Sequence, residues 1–328
     1  MAQPYDLPLE QLRQYQPGLT KQPDFEAFWE RTLSELREVS PDYTLEPMAY
    51  PTKGVKVYRI LYKRLNHAQI EGRLAMPDRE GPHPGIVLYH GYNSAYDGNI
   101  HDTVVWALRG YAALQMLVRG QQGESEDNVV SPHGGPKGWL TKGIRSPETY
   151  YYRAVYMDAV RALEVLANLP EVNETRLGTV GGSQGGALAI AAAALSPLPK
   201  VVASDYPFLS HFERAIDITP EGPYLELNEY FRRYPDPRVE ENAKRTLSYF
   251  DVMNLAPRVA AFTWMSVGIV DLITPPSTVF AVYNHLSCPK DLYVARYFGH
   301  EYIPGAVERR LSVLMEHLQH SGAARVLE

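Results

Sequence analysis

The chain has 328 residues, about 45% of them hydrophobic, enough to bury a large core without metal or disulfide staples in one large domain or two ordinary ones. Its formal net charge of −6 leaves no basic surplus for phosphates, which argues against a nucleic-acid partner. Cys288 is the single cysteine, so an intramolecular disulfide is impossible; with no signal-like run in Met1 to Glu10 and no stretch of about eighteen apolar residues, a cytoplasmic protein without a membrane partner is expected.

In chain order, Asp24 reads as the N-cap of a helix whose apolar stripe is Phe25, Phe28, Trp29 and Leu33. From Tyr43 to Met76 the pattern alternates, and two strands joined near Leu65-Asn66-His67 would form an antiparallel hairpin. After Gly81-Pro82, strands and helices alternate. Gly85 to Tyr89 and Tyr111 to Val118 read as core strands, Thr149 to Leu169 as an amphipathic helix, and Arg176 to Val180 as a third strand before an alanine-rich buried helix, Ala187 to Leu195. Lys200 to Ala203, Ala261 to Val267 and Asp291 to Arg296 complete the strands. The expectation is one α/β domain over residues 1–328: a mostly parallel sheet covered by helices, an N-terminal antiparallel extension over 1–80, and an insertion over 205–254 before the penultimate strand. Gln122 to Pro147 is long, rich in Gly and Pro, and aperiodic.

Gly181-Gly182-Ser183-Gln184-Gly185 matches G-x-S-x-G, a pattern that arises by chance in about one chain in ten of this length. Its setting, directly after a strand and before a helix, is what gives it weight: a serine on a sharp strand-to-helix turn is presented above the sheet edge, and the outer glycines let strand and helix pass closely. A serine hydroxyl needs a base. Five histidines follow Ser183: His211 in the insertion, His285 at a helix end, His317 and His320 on a polar C-terminal helix, and His300 just after the last strand. In the chain order serine, acid, histidine, His300 is the base and Asp271, after the penultimate strand, is the acid, with Asp205 its rival. Two main-chain N–H donors for the developing oxyanion would come from Gln184 and, in the loop His90-Gly91-Tyr92-Asn93, from Tyr92; the His90 side chain reads as structural.

The chain resembles the acetyl xylan esterase and cephalosporin-C deacetylase family, carbohydrate esterase family seven, an α/β-hydrolase family. The resemblance is carried by Asp6-Leu7-Pro8-Leu9-Glu10, Asp24 to Trp29, Arg119-Gly120-Gln121, the Ser183 motif, Asp271 to Thr278 and His300-Glu301. It implies deacetylation of small substrates such as xylo-oligosaccharides and cephalosporin C, no cofactor or metal, Ser183, Asp271 and His300 as a triad, and a homohexamer built as a trimer of dimers. It assigns Arg119 to holding the site loops together. The acetyl preference it implies needs a short acyl pocket, for which Pro207, Phe208 and Ile273 are the candidates because they follow adjacent strand ends. In such a hexamer the Gln122 to Pro147 loop would pack between subunits, since an aperiodic loop needs a partner surface to offset its ordering entropy. Rival readings are a broad small-ester hydrolase, a prolyl-oligopeptidase-like peptidase, for whose propeller the N-terminal eighty or so residues are too few, and an inactive binding scaffold.

Overall fold

The alternation read after Gly81 becomes a single nine-stranded sheet in the order β1-β2-β3-β5-β4-β6-β7-β8-β9. The computed structural model describes residues 5–63, 68–94, 100–130 and 138–319. The extension holds α1 (Leu9–Leu12), α2 (Phe25–Arg37), β1 (Tyr43–Pro47), β2 (Val55–Lys63) and β3 (Gln69–Pro77). The central part runs β4 (His83–Tyr89), α3 (Ile100–Leu108), β5 (Ala112–Met116), α4 (Tyr151–Ala167), β6 (Val172–Gly182), α5 (Gln184–Leu195) and β7 (Pro199–Asp205). The insertion contributes α6 (Phe212–Ile218), α7 (Leu225–Arg233), α8 (Pro237–Phe250) and α9 (Val252–Leu255), and the chain continues through β8 (Phe262–Gly268), α10 (Pro276–His285), β9 (Lys290–Ala295) and α11 (Ala306–Leu318).

β2 and β3 form the expected hairpin, in register from Val55 opposite Pro77 to Lys63 opposite Gln69; its turn at Leu65-Asn66-His67 lies outside the described residues, as does His320. β3 meets β5 antiparallel, and from β5 to β9 every pairing is parallel. β6 begins at Val172, earlier than the apolar pattern indicates, because Val172 and Asn173 pair with His83 and Pro84 before a register shift hidden by the polar Asn173-Glu174-Thr175. Asp24 does not cap α2; its carboxylate accepts from the Tyr249 hydroxyl instead, so the side chain ties α2 to α8.

The core lies on both sheet faces, with α5 buried along its whole length and α4 nearly so. The many tyrosines find a purpose here. A buried phenol is costly without a partner for its hydroxyl, and Tyr89, Tyr150, Tyr151 and Tyr156 each donate to a main-chain carbonyl, those of Ala159, Leu140, Arg119 and Phe250, at 2.9, 3.1, 2.6 and 2.6 Å, whereas the Tyr62 and Tyr111 hydroxyls have no partner among the described residues. The four donors act as pins between elements as well as core filler.

The described part of the Gln122 to Pro147 loop packs on this chain's own insertion. Leu140 and Ile144 are buried, the Leu140 N–H donates to Glu226 on α7, and Asn242 on α8 donates to the Arg145 carbonyl at 2.8 Å. For the described residues, these contacts within the chain offset part of the ordering entropy. His317 is likewise less exposed than its helix pattern suggests, its ring stacked on Phe262 with centroids 4.3 Å apart.

His211 joins the insertion to the N-terminal segment. Its Nε2 lies 3.0 Å from the Tyr15 hydroxyl, while its Nδ1 is buried with no partner among the described residues. Burial, helped by Arg214 and His285, pulls the imidazole down from 6.5 to about 4. Between those values the unfolded chain binds the extra proton, so this group's contribution is full above about pH 6.5 and is lost as the pH falls toward 4, a loss of at most roughly 3 kcal/mol. Asp251, whose carboxylate accepts from the His211 and Phe212 N–H groups, is pushed by burial up to about 6 and acts in the opposite sense. The His211→Asn variant should therefore lose less stability than the parent on acidification through that window. Urea unfolding at both ends of it is the measurement, and equal losses in the two proteins would show that His211 does not contribute.

Candidate active site

The G-x-S-x-G segment forms the turn between β6 and α5, with Ser183 at φ 55° and ψ −121°, a conformation that a residue with a side chain rarely adopts. Three hydrogen bonds hold it there: the Ser183 N–H donates to the Asp205 carbonyl at 3.0 Å, and its own carbonyl accepts from Phe208 and Ala187 at 3.0 and 3.1 Å. The outer glycines are required by close approach. A Cβ on Gly181 would stand 2.3 Å from the Gly185 carbonyl carbon, and one on Gly185 would stand 2.0 Å from the Tyr89 carbonyl oxygen. The turn is thus wedged against β4 and stitched to β7.

Asp271 and His300 come together in the loops after β8 and β9, with His300 Nδ1 2.9 Å from Asp271 Oδ2. The Asp271 side chain is fully buried and saturated. Oδ1 accepts from the Ile273 and Thr274 N–H groups, both at 2.8 Å, and Oδ2 accepts from the Thr274 hydroxyl at 2.7 Å. The two loops are also laced together by the main chain, Val270 N–H to the Phe298 carbonyl at 3.1 Å, and Glu301 accepts from the Gly299 N–H at 3.0 Å, bracing the turn that carries His300. Asp205, the rival acid, accepts from Ser266 at 2.6 Å and pairs with Arg310 on α11, which makes it an anchor of the sheet edge. The Tyr206 ring stands over His300, centroids 4.7 Å apart.

Tyr92 and Gln184 belong to one polar network. Gln184 opens α5, where an N–H has no helical carbonyl to serve. The hydrogen bonds that shape the Tyr92 loop use the N–H groups of its neighbours, Asn93 to Gln121 Oε1 at 3.1 Å and Ser94 to the Gly91 carbonyl at 3.3 Å. The Gln121 and Gln184 side-chain amides meet at 3.0 Å, and the Tyr152 hydroxyl donates to Gln184 Oε1 at 2.8 Å. The buried Arg119 forks onto Asp158 with bonds of 2.7 and 3.1 Å, and its carbonyl takes the Tyr151 hydroxyl. Burial pushes the Asp158 carboxyl up against the pull of that guanidinium. The Arg119-Gly120-Gln121 segment is therefore a brace joining the two loops that carry Tyr92 and Gln184. His90, buried, accepts the Val118 N–H on Nε2 at 2.9 Å, a structural link between the ends of β4 and β5.

Of the three acyl-pocket candidates, Phe208 and Pro207 are buried and Ile273 is half-buried. The Phe208 ring lies between Tyr92 and Tyr224, centroids 5.9 and 4.3 Å away, and Ile273 packs over Gly222 of the insertion. Several residues of the site went unread in the sequence. The Tyr5 hydroxyl donates to the Asp271 carbonyl at 2.6 Å, and the buried Asp6 carboxylate accepts the Ser277 N–H at 2.7 Å and pairs with Arg214 at 3.0 Å, so the N-terminal segment straps the acid loop. Glu226 accepts the Tyr92 hydroxyl at 2.6 Å. No local pattern marks Tyr5, and Asp6 is marked only as the first residue of the Asp6-to-Glu10 motif, with no contact to the site read from it. Glu226 had a faint signal, a charge between Leu225 and Leu227 on a helix.

A mostly parallel sheet of this order, with a serine at a strained strand-to-helix turn, is that of the α/β-hydrolases. Within that class, a family model described as acetyl xylan esterase (AXE1) matches residues 1–318, and the chain belongs to that family of carboxylic ester hydrolases. The acetyl xylan esterase of Paenibacillus sp. R4 is 40% identical, with a TM-score of 0.92 over 95% of this chain and 100% of that one. Acetyl xylan esterase 1 of Thermoanaerobacterium sp. is 35% identical, with a TM-score of 0.90 over 95% and 99%. The acetyl esterase Axe7A of Xylanibacter ruminicola is 28% identical over 278 residues, 83% of this chain and 62% of that longer protein. Among the described residues, no helix is long and apolar enough to cross a membrane.

Proposed function

We propose that the protein is a serine esterase that removes acetyl groups from small acetylated substrates, with acetylated xylo-oligosaccharides and cephalosporin C as the substrates to test first. The observation that carries this reading is the 2.9 Å contact between His300 and a fully buried, saturated Asp271, beside the sheet edge that bears the strained Ser183. In this mechanism the Ser183 hydroxyl attacks the acetyl carbonyl carbon while His300 Nε2 takes its proton. The tetrahedral oxyanion sits against the main-chain N–H groups of Tyr92 and Gln184. Collapse breaks the bond to the sugar oxygen, which leaves with the proton from His300. Water then repeats the sequence on the acetyl-enzyme to give acetate and free Ser183. Asp271 keeps Nδ1 protonated and stabilises the imidazolium.

Ser183→Ala should lower kcat by several orders of magnitude with the fold intact, and a serine-directed phosphonate should add its mass at Ser183 alone. Asp271→Asn should lose most activity, because an amide that donates toward Nδ1 favours the wrong tautomer. Near-normal turnover by either variant, or greater damage from Asp205→Asn, would reject these roles.

Phe208, Pro207 and Ile273 are proposed to close the acyl pocket, and the Phe208 N–H bond to the Ser183 carbonyl supports their nearness to the reacting centre. Each methylene that does not fit costs about 1–3 kcal/mol. Butyryl esters should thus turn over far more slowly than acetyl esters of the same alcohol, and octanoyl esters hardly at all; equal rates along that series would rule out a closed pocket.

The assembly belonging to this reading is the closed homohexamer, a trimer of dimers, and an apolar rim around His300 supports it: Val270, Leu272, Tyr297 and Tyr302 are 43, 37, 72 and 66% exposed. Multi-angle light scattering should give a mass six times that of one chain, and a monomeric mass would discard the hexamer.

A further inference from the structure

The segment carrying Tyr92 is held from the side by a carboxylate that the chemistry above does not use. Glu226 lies on α7, in the insertion. Its Oε1 accepts from the Tyr92 hydroxyl at 2.6 Å and its Oε2 from the Leu140 N–H at 3.1 Å. The same Tyr92 oxygen accepts the Trp139 N–H at 2.8 Å, and the Trp139 indole N–H returns to Asn93 Oδ1 at 2.8 Å. Asn93 itself has φ 49°, a left-handed conformation that depends on its surroundings. The carboxylate is pressed against the loop main chain, for a Cβ on Gly138 would fall 2.1 Å from Glu226 Oε1. Burial raises the Glu226 carboxyl above its ordinary range, opposed by the bonds from Tyr92 and Leu140, with Glu229 nearby adding to the rise.

We infer that Glu226 is a positioning residue for the oxyanion-binding loop: it clamps the Tyr92 hydroxyl, and through the ring and Cα it fixes the direction of the Tyr92 main-chain N–H. The inference rests on the esterase reading of Ser183 and Tyr92. A ring fixed at its hydroxyl by Glu226 and Trp139, and packed along its edge on Phe208, cannot swing without breaking two hydrogen bonds. The main-chain N–H lies in one peptide plane with the Gly91 carbonyl, which accepts from Ser94 at 3.3 Å and stands 2.8 Å from His90 Nδ1, so a restrained Cα and a restrained carbonyl together set its aim. Oxyanion donors are effective because their orientation is set before charge develops. The site calls for a carboxylate because two donors converge on it; an amide offers one acceptor and turns its own N–H groups toward the second donor.

Glu226→Gln should lower kcat for a small acetyl ester by about ten- to a hundredfold, somewhat less than deletion of an oxyanion donor, and leave KM within about twofold. Tyr92→Phe removes only the hydroxyl and keeps the main-chain N–H; it should have an effect of similar size, and the double variant should be no worse than the more damaged single one. Gly138→Ala, which pushes the carboxylate aside without altering it, should move kcat in the same direction. A short alkyl boronic acid, whose adduct carries a negative oxygen where that of the substrate would stand, should bind Glu226→Gln more weakly by the same factor as the fall in kcat. If Glu226→Gln does not fold, Tyr92→Phe and Gly138→Ala carry the test. Unchanged kcat, an increase confined to KM, or lower thermal stability with normal turnover would overturn the inference. Phosphonate labelling of Ser183 in the parent enzyme separates the two levels: absence of labelling removes the esterase reading, whereas labelling together with normal kcat in the variants removes only the role of Glu226.

Discussion

The turn at Ser183 is the constraint on which the rest of the site depends. A residue at φ 55° and ψ −121° is held there only because its surroundings over-determine it. Here β7 supplies the Asp205 carbonyl, the segment after β7 supplies the Phe208 N–H, β4 passes so close that Gly185 has no room for a Cβ, and Gly185 in turn leaves none on Gly181. The strain of one residue is thus offset by three strands and a helix. In return the serine hydroxyl stands at the end of a rigid sheet.

Around that fixed point, three loops are aimed by contacts of very different sequence separation. The acid loop is set partly by itself, through the two N–H groups and the hydroxyl that saturate the Asp271 carboxylate, and partly by Tyr5 and Asp6 from the opposite end of the chain. The histidine loop is laced to it by the main chain. The Tyr92 loop is held from one side by the Gln121–Gln184 amide pair and from the other by Glu226 and Trp139. The insertion and the described part of the long loop before α4 therefore do more than cover the strand ends. They supply the far side of the clamp on Tyr92.

The same arrangement accounts for features that composition leaves open. The abundant tyrosines are used where a buried ring must also satisfy a main-chain carbonyl, as Tyr151 does at Arg119 and Tyr156 at Phe250. The buried Arg119–Asp158 pair is linked to the Gln121 amide through the Tyr151 hydroxyl, and breaking one side of such a pair leaves a buried charge without its partner. That is a strong reason for the Arg119-Gly120-Gln121 segment to keep its form, and it agrees with the bracing role that the family resemblance assigns to Arg119.

What the sequence determined by itself was periodic or local. Alternating apolar runs marked the strands, the stripe from Phe25 to Leu33 marked α2, and glycines flanking Ser183 between a strand and a buried helix marked the turn, because steric demands within a few residues leave a direct trace in residue type. Asp271 and His300 were legible by position, each just past a strand. Asp24 illustrates the limit: its residue type suits a helix cap, but the Tyr249 hydroxyl, 225 positions away, takes its carboxylate. The site contacts of Tyr5, Asp6 and Glu226 left little or no trace for the same reason. Their partners lie in other segments, and a hydrogen bond across 134 or 266 positions imposes no period on either stretch of chain. The sheet order that brings those segments to one edge is a property of the folded sheet as a whole, and only the tertiary structure decided which side chains would meet there.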